Sequence, residues 1–403
     1  MCMRRAGARK RPGAPRARAL PAPQTPKSCT RRPSSPRVFR YSFTPRPAPR
    51  LTVAGTPLSE SDVTQPLPPD AFAPAAFRKG VFHNGFGREK HGLRSVLRWL
   101  ATRSRGPWPT HVEDVPVAPP PARVDDGAIH ATIIGHATVL VQVDGLNVLT
   151  DPVLSQRIGP TPWTGPRRVR KAAVDFNDIP KIDLILLSHD HYDHLDRPTL
   201  RRLARRDAPL VLTGLKVGRK VPSRKVVELD WWQSHTLREG VRVTYVPAEH
   251  FSGRGVFDHD KSLWGGFVLE TPAGKVYFAG DTGDGPHFQA IRERFGAMTL
   301  SLLPIGAYAP RWFMAPVHVD PDEALQASLT LESQTTLAIH FATFNLADDA
   351  YEAPTRALAR ALSHLGGKPA GSDFRVVPFG EDTVVRLHRH EPAPRRTPDL
   401  SPA

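Results

Sequence analysis

Three imidazoles and two carboxylates fall within six consecutive residues, 189–194. The segment just before them, 182–187, is short, apolar and branched, which predicts a buried strand. The polar cluster therefore lies where a strand ends and its loop begins. Neutral imidazole and carboxylate are the ligand types that zinc and similar divalent metals prefer. The pattern His189-x-His191-x-Asp193-His194 therefore predicts a metal site at this strand end.

Three further residues of the same chemical types follow other predicted strands. His250 closes the segment 243–249, Asp281 follows 275–280, and His340 follows 336–339. Strand ends that meet at one edge of a sheet are the usual place for a site on an α/β scaffold. Seven side chains can then surround two metals. They are His189, His191, Asp193, His194, His250, Asp281 and His340.

The formal charge of +16 belongs to the N-terminal tail. Residues 1–50 contain 14 of the 55 Lys and Arg residues and no acid, which leaves 41 basic and 39 acidic residues in the remainder. Phosphate-backbone binding needs clustered cations in the folded domain, so we expect no specific nucleic-acid partner. The tail is rich in Arg and Pro, which predicts disorder. A polybasic membrane contact, a nucleic-acid arm and a transit peptide are the alternatives.

Several classes are made less probable by what the sequence lacks. Both cysteines, Cys2 and Cys29, lie in the tail, so the body has no thiolate ligand or disulfide. We find no apolar signal-peptide core and no run of apolar residues long enough for a transmembrane helix. The expected location is the cytoplasm, with membrane association as an alternative.

The pattern of elements predicts an α/β fold. Residues 1–75 are predicted to be the basic tail, 76–128 a helical and linker extension, 129–388 the main domain and 389–403 a frayed tail. Within the main domain, two strand-rich halves, 129–250 and 262–387, are flanked by predicted helices, which include 286–295, 320–332 and 353–365. This arrangement predicts a four-layer αββα sandwich.

These motifs resemble a known family. The seven candidate ligands resemble those of the metallo-β-lactamase-fold hydrolases. The resemblance narrows to the N-acylphosphatidylethanolamine-hydrolysing phospholipase D group and its bacterial relatives, on motifs spread over roughly residues 80–385. These motifs are Ile134-Gly135-His136-Ala137-Thr138, Thr150-Asp151-Pro152, Gly280-Asp281-Thr282-Gly283, Leu303-Pro304-Ile305-Gly306-Ala307-Tyr308, Pro310-Arg311-Trp312-Phe313-Met314, His318-Val319 and Ile339-His340.

The resemblance implies two zinc ions, with iron or manganese as alternatives. It assigns His189, His191 and His250 to one ion and Asp193, His194 and His340 to the other, with Asp281 as the bridge. Two divalent ions about 3.5–4 Å apart lower the pKa of a shared water and stabilise charge on a phosphoryl oxygen. His318 is a candidate to orient or protonate the leaving group. The candidate substrate contacts are Tyr308, Arg311, Trp312 and Phe313. Arg167 and Arg168 are further candidate cations, for which a solvated face is the favoured interpretation.

The expected reaction is hydrolysis of an N-acylphosphatidylethanolamine-like phospholipid to N-acylethanolamine and phosphatidic acid. Hydrolysis of a smaller phosphodiester or a lactone is the main alternative, and a nuclease is less favoured because the body is nearly neutral. The expected partners are the phospholipid substrate and, through peripheral contact, a membrane surface. The sequence leaves open whether the chain forms a homodimer.

Overall fold

The computed structural model describes residues 67–68, 70–86, 92–113, 116–255, 257–367 and 369–387. Residues 1–66 of the predicted basic tail and the predicted C-terminal tail 389–403 lie outside the described residues. The first elements are a small hairpin and a helix, namely β1 (Phe77–Arg78), β2 (Val81–Phe82) and α1 (Leu93–Thr102). None of the helices within the described residues has the length and hydrophobicity needed to span a bilayer.

Two seven-stranded sheets form the centre of the fold. The first sheet contains β3 (Ile129–Gly135), β4 (Thr138–Val143), β5 (Leu146–Thr150), β6 (Leu184–Leu187), β7 (Leu210–Gly214), β8 (Val226–Leu229) and β16 (Asp382–Val385). The second contains β9 (Ser234–Arg238), β10 (Val241–Val246), β11 (Gly266–Thr271), β12 (Gly274–Phe278), β13 (Leu300–Pro304), β14 (Thr335–Ile339) and β15 (Phe374–Arg375).

Side chains of the first sheet alternate between two hydrophobic cores, because successive strand residues point to opposite faces. Ile133 and Val139 belong to the large core that also contains residues of the second sheet. Their neighbours Ile134 and Leu140 belong to a separate core on the outer face. Helix α2 (Arg197–Arg206) covers that outer core, and its Leu200 is buried there.

Helices also cover the outer face of the second sheet. They are α3 (His287–Phe295), α4 (Arg311–Met314), α5 (Pro321–Thr330) and α6 (Ala353–Ser363). Phe288, Leu325 and Leu358 from three of these helices join the large core. A capping box begins α5, since Asp320 accepts from the Glu323 N–H and Glu323 accepts from the Asp320 N–H. The predicted αββα sandwich is confirmed.

The two sheets do not correspond to the two predicted halves, 129–250 and 262–387. Strand β10 lies in the first half but pairs with β11 of the second half, with Val243 opposite Leu269. Strand β16 returns from the second half and pairs with β3. Backbone pairing, and not order along the chain, therefore decides which sheet a strand joins.

The folded part of the chain begins before the predicted tail boundary at residue 75. Ala71 is buried in the large core, and the Ala75 N–H donates to Asp230 Oδ1 at 3.0 Å. Trp99 of the extension stacks on Phe313 of α4, with ring centroids 4.8 Å apart. The extension therefore packs directly on the helical face of the main domain.

Candidate metal centre

The predicted ligands lie at one edge of the two sheets. His340 follows β14, Asp281 comes three residues after β12, and His189 comes two residues after β6. Strands β12, β13 and β14 are parallel, as are β5, β6 and β7, so their carboxyl ends lie on the same side. The loops that follow these strands bring the side chains together.

The first cluster consists of three histidines. His189 Nε2 lies 2.8 Å from His191 Nδ1, and His250 Nε2 lies 3.2 Å from the same His191 atom. Burial lowers the pKa of each imidazole, and the pKa values of His189 and His250 fall well below the ordinary range. The three rings are therefore neutral near pH 7 and have lone pairs available for a metal.

The second cluster contains His136, Asp193, His194 and His340. Asp193 Oδ2 lies 3.2 Å from His136 Nε2, 3.3 Å from His340 Nε2 and 3.5 Å from His194 Nε2. One carboxylate oxygen is thus surrounded by three ring nitrogens. Three of the four members are the residues predicted for a second metal.

Asp281 lies between the two clusters. Its Oδ2 atom is 3.1 Å from both His194 Nε2 and His340 Nε2, and 3.7 Å from His250 Nε2. A single carboxylate oxygen therefore contacts donors from each cluster. This is the position that a bridging ligand requires.

The charges of the site fit a cation. Burial alone would raise the pKa values of Asp193 and Asp281, but the neighbouring His194 and His340 hold both values well below the ordinary range. Conversely, burial lowers the pKa of His340, while Asp281 and Asp193 raise it to about 9. Buried carboxylates need a positive charge close by. At Asp193 and Asp281, either the histidines or a divalent metal can supply that charge.

Unpaired polar atoms point to the same conclusion. Among the described residues, Asp281 Oδ1 is buried without a hydrogen-bond partner, and His194 Nε2, although 3.1 Å from Asp281 Oδ2, makes no aligned hydrogen bond. Buried polar atoms are nearly always paired, so such exceptions mark a ligand position or a functional strain. The donor set of imidazole nitrogen and carboxylate oxygen is one that zinc, iron and manganese all accept.

Comparisons with known proteins agree with this centre. Residues 146–341 match the family model described as the beta-lactamase superfamily domain. The chain is 34% identical over 269 residues to N-acyl-phosphatidylethanolamine-hydrolyzing phospholipase D 1 of Caenorhabditis elegans, covering 64% of this chain and 76% of that protein. The chain belongs to the beta-lactamase superfamily.

Two further similarities are informative for this superfamily member. An uncharacterised protein of Mycobacterium tuberculosis is 36% identical over 77% of this chain and 86% of its own length. The crystal structure of a possible metal-dependent hydrolase from Veillonella parvula has a TM-score of 0.50 at 15% identity, covering 64% of this chain and 99% of that one. The metallo-β-lactamase fold is confirmed. Together with the similarity to the C. elegans enzyme, the superfamily match identifies the protein as a metal-dependent hydrolase.

A hydrogen-bond relay orients ligands from both clusters of the hydrolase. Asp151 Oδ2 lies 2.6 Å from His194 Nδ1 and accepts from Ser188 Oγ at 2.5 Å. Ser188 Oγ is in turn 2.9 Å from His189 Nδ1. When these Nδ1 atoms donate, each Nε2 keeps its lone pair for the metal. Asp151 therefore positions one imidazole of each cluster.

We expect Asp151→Asn to weaken metal affinity by about 10–100-fold, the usual effect of losing a carboxylate that orients a ligand. Competition with a chromophoric chelator measures this affinity. Asp183→Asn is the control, because Asp183 precedes the neighbouring parallel strand β6, at the opposite end of the sheet from Asp151, and pairs with Arg123 at 2.6 Å. Equal affinities in the two variants would show that the relay has no role in metal binding.

His318, the predicted leaving-group residue, lies beside the clusters of the hydrolase. Its ring centroid is 5.1 Å from that of His250 and 5.5 Å from that of His340. Burial lowers the pKa of His318 to about 4, so the ring is neutral near pH 7. His250 Nδ1 bonds the carbonyl of the preceding residue, Val317, at 2.9 Å. The segment with His318 is therefore tied to the metal ligands.

Arg311, one of the four candidate substrate contacts, is neutralised by acids of the hydrolase itself. It donates to Glu323 Oε2 at 2.6 Å and lies 3.3 Å from Asp320 Oδ2. It also donates to the His318 carbonyl at 2.8 Å. The structure therefore does not present Arg311 as a free cation for a phosphate. It connects the His318 segment to the first turn of α5.

The three aromatic candidates have different environments. Phe313 packs on Trp99, as described above, while Trp312 is largely exposed and lies under the guanidinium of Arg98 at 4.6 Å. Tyr308 is half-buried, and burial raises the pKa of its hydroxyl to about 12. Their role as substrate contacts stays a prediction.

Sequence reasoning missed His136 as a member of the site. The residue appeared only within a family motif, although it follows β3 as His340 follows β14. Its backbone is left-handed, with φ of 56°, which places the ring over that of His340 at 4.1 Å. A histidine directly after a strand was the available signal. Asp190, in contrast, turns away from the metals and bonds Ser262, Gly253 and Lys220.

Proposed function

We propose that this hydrolase is a dinuclear-zinc phosphodiesterase of the phospholipase D type. Its proposed reaction converts N-acylphosphatidylethanolamine-like phospholipids to N-acylethanolamine and phosphatidic acid. The observation that carries the proposal is the similarity to the C. elegans phospholipase D, which spans three-quarters of that protein. A smaller phosphodiester or a lactone is the alternative substrate.

The two clusters divide the proposed ligands between two ions. His189, His191 and His250 would hold one, Asp193, His194 and His340 the other, and Asp281 would bridge them. His136 would offer a further ring nitrogen to the ion held by the second cluster, beside Asp193. When bound, such a pair of ions lowers the pKa of water and stabilises charge on a phosphoryl oxygen.

The chain's own residues orient and protect the reacting groups. Asp151 and Ser188 hold the two imidazoles of the relay, and the Val317 carbonyl holds His250. His318 is neutral and next to both clusters, so its proposed role is to orient the leaving alkoxide, or to protonate it with a proton first taken up from the attacking water. Arg311 positions His318 through the backbone carbonyl.

A peripheral membrane contact is part of this proposal. Helix α1 has no acidic residue, and its Arg94 and Arg98 are exposed beside Leu97 and Leu100. A helix with exposed apolar and basic residues suits the surface of a bilayer. Hydrolysis that is faster on micellar than on monomeric short-chain lipid would support this contact, and equal rates would contradict it.

The test uses the full chain loaded with zinc and N-acylphosphatidylethanolamine micelles. Mass spectrometry follows the products. We expect N-acylethanolamine and phosphatidic acid from the native protein and neither from Asp281→Asn, with His318→Gln slowed but still binding both metals. A protein that binds two metals and leaves this lipid intact would overturn the proposed substrate. Turnover of a soluble lactone without lipid would then favour the alternative.

A further inference from the structure

A small cavity lies beside the metal-binding loop, which is the segment 188–196 between β6 and α2. The cavity has no part in the proposed chemistry. Its volume is about 260 Å³. It is bounded by the loop 155–162, by Tyr192 of the metal-binding loop and by the start of α2. Three arginines line it, namely Arg157, Arg197 and Arg254. We call it the arginine cavity.

The charge of the arginine cavity is not balanced by its own acid. Asp196 lines it, but its oxygens accept from Ser155 Oγ at 2.9 Å, from the Ser155 N–H at 3.1 Å and from Thr199 Oγ1 at 2.5 Å. Within the described part of the chain, no ion pair joins any of the three lining arginines to a carboxylate. The cavity is therefore positive.

The N-terminus of helix α2 lies at the same cavity. The helix begins at Arg197 with no acidic residue in its first turn, and its N-cap residue is Asp196, the acid that lines the cavity. The N-terminal end of a helix carries partial positive charge and favours anions. A guanidinium group can donate two parallel hydrogen bonds to two oxygens of one phosphate. The ammonium group of a lysine does not make this paired contact.

We propose that the arginine cavity binds the phosphate of an anionic phospholipid headgroup, at a position separate from the metal centre. Its volume is below the roughly 300–1,000 Å³ usual for whole small molecules, so it suits a headgroup and not a lipid chain. Two aromatic side chains extend from the bordering loops into solvent, Trp163 at 81% and Phe257 at 86% exposure. Exposed aromatic residues next to a cationic site are typical of contact with a membrane interface.

Arg254 connects this cavity to the metal-binding loop. Its Nη1 donates to the carbonyls of Asp190 and Leu195, each at 2.8 Å, and to that of His191 at 3.3 Å. Its guanidinium also stacks on Tyr192 at 3.9 Å. A headgroup held by Arg254 would therefore stiffen the loop that carries four of the proposed metal ligands. The inference does not depend on which bond the metal centre hydrolyses.

The experiment measures binding and not hydrolysis. The metal-loaded full chain is titrated with glycerol 3-phosphate by calorimetry. It is then sedimented with phosphatidylcholine vesicles that contain or lack phosphatidylglycerol. The test variant is Arg157→Gln with Arg197→Gln. The matched control is Arg201→Gln with Arg205→Gln, which removes two exposed arginines of α2 that do not line the cavity.

We expect the test variant to bind glycerol 3-phosphate at the arginine cavity at least about tenfold more weakly than the native protein does, because the variant lacks two charge-assisted contacts. The control should match the native protein, and only the test variant should lose binding to phosphatidylglycerol vesicles. Equal glycerol 3-phosphate affinity in both variants would overturn the site. Loss of glycerol 3-phosphate binding with unchanged vesicle binding would overturn the headgroup assignment and leave a site for soluble phosphates. Any binding of glycerol 3-phosphate or vesicles to the metal centre or to the basic tail contributes equally in the native protein and in both variants.

Discussion

Asp281→Asn should reduce kcat/KM by at least about a thousandfold, equivalent to roughly 4 kcal/mol of transition-state stabilisation. Asparagine keeps the shape of the side chain but removes the charge that faces His194 and His340 at 3.1 Å and His250 at 3.7 Å. The bridge between the clusters would be lost, so the content of bound metal should also fall.

Elemental analysis, steady-state kinetics and thermal unfolding together test this expectation. Asp178→Asn is the control, because Asp178 is an exposed carboxylate that belongs to neither cluster. A variant that unfolds like the native protein, keeps both metals and retains its activity would show that Asp281 is not the bridge.

Phe267→Ala should lower the free energy of unfolding by about 3–5 kcal/mol. Phe267 is fully buried in β11, and its ring lies 4.9 Å from that of Tyr245 on β10. Truncation would remove apolar contacts in the large core and leave a cavity that the surrounding strands cannot close. Tyr245 also donates to the Ser188 carbonyl at 2.8 Å, so a looser core should weaken the support of the metal-binding loop as well.

Chemical denaturation measures this loss. Phe257→Ala makes the same side-chain truncation at an exposed position and should change stability by less than about 0.5 kcal/mol. A similar loss in both variants would mean that the effect comes from the unfolded chain or from global loosening, and not from the buried contact.

The predicted helices and strands of the main domain agree closely with the structure. The predicted helices 286–295, 320–332 and 353–365 correspond to α3, α5 and α6, each within two residues at either end. These elements are readable because local hydrophobic periodicity, capping and turn residues define them. The turn at Asp144-Gly145 between β4 and β5 is a similar case, with φ of 46° and 70°.

The sequence does not predict which strands of the two halves pair with each other, nor the environments of the arginines. Whether β10 pairs with β11 depends on contacts between distant segments, which periodicity does not encode. A solvated face was the favoured interpretation of Arg167 and Arg168, yet Arg168 is buried and donates to the Val153 carbonyl at 2.6 Å. Arg311 was expected near the substrate, and its ion pairs with Asp320 and Glu323 became visible only in the folded chain.

A local segment of the sequence therefore predicts the chemistry of the metal centre but not its geometry. Three histidines and two aspartates after one strand announce a metal site because imidazole and carboxylate donors are rarely crowded without one. The division into two clusters, the position of Asp281 between them and the relay through Asp151 all join residues more than 30 positions apart. Such contacts arise when parallel strands end at the same edge and their loops converge, a consequence of packing that no local pattern contains.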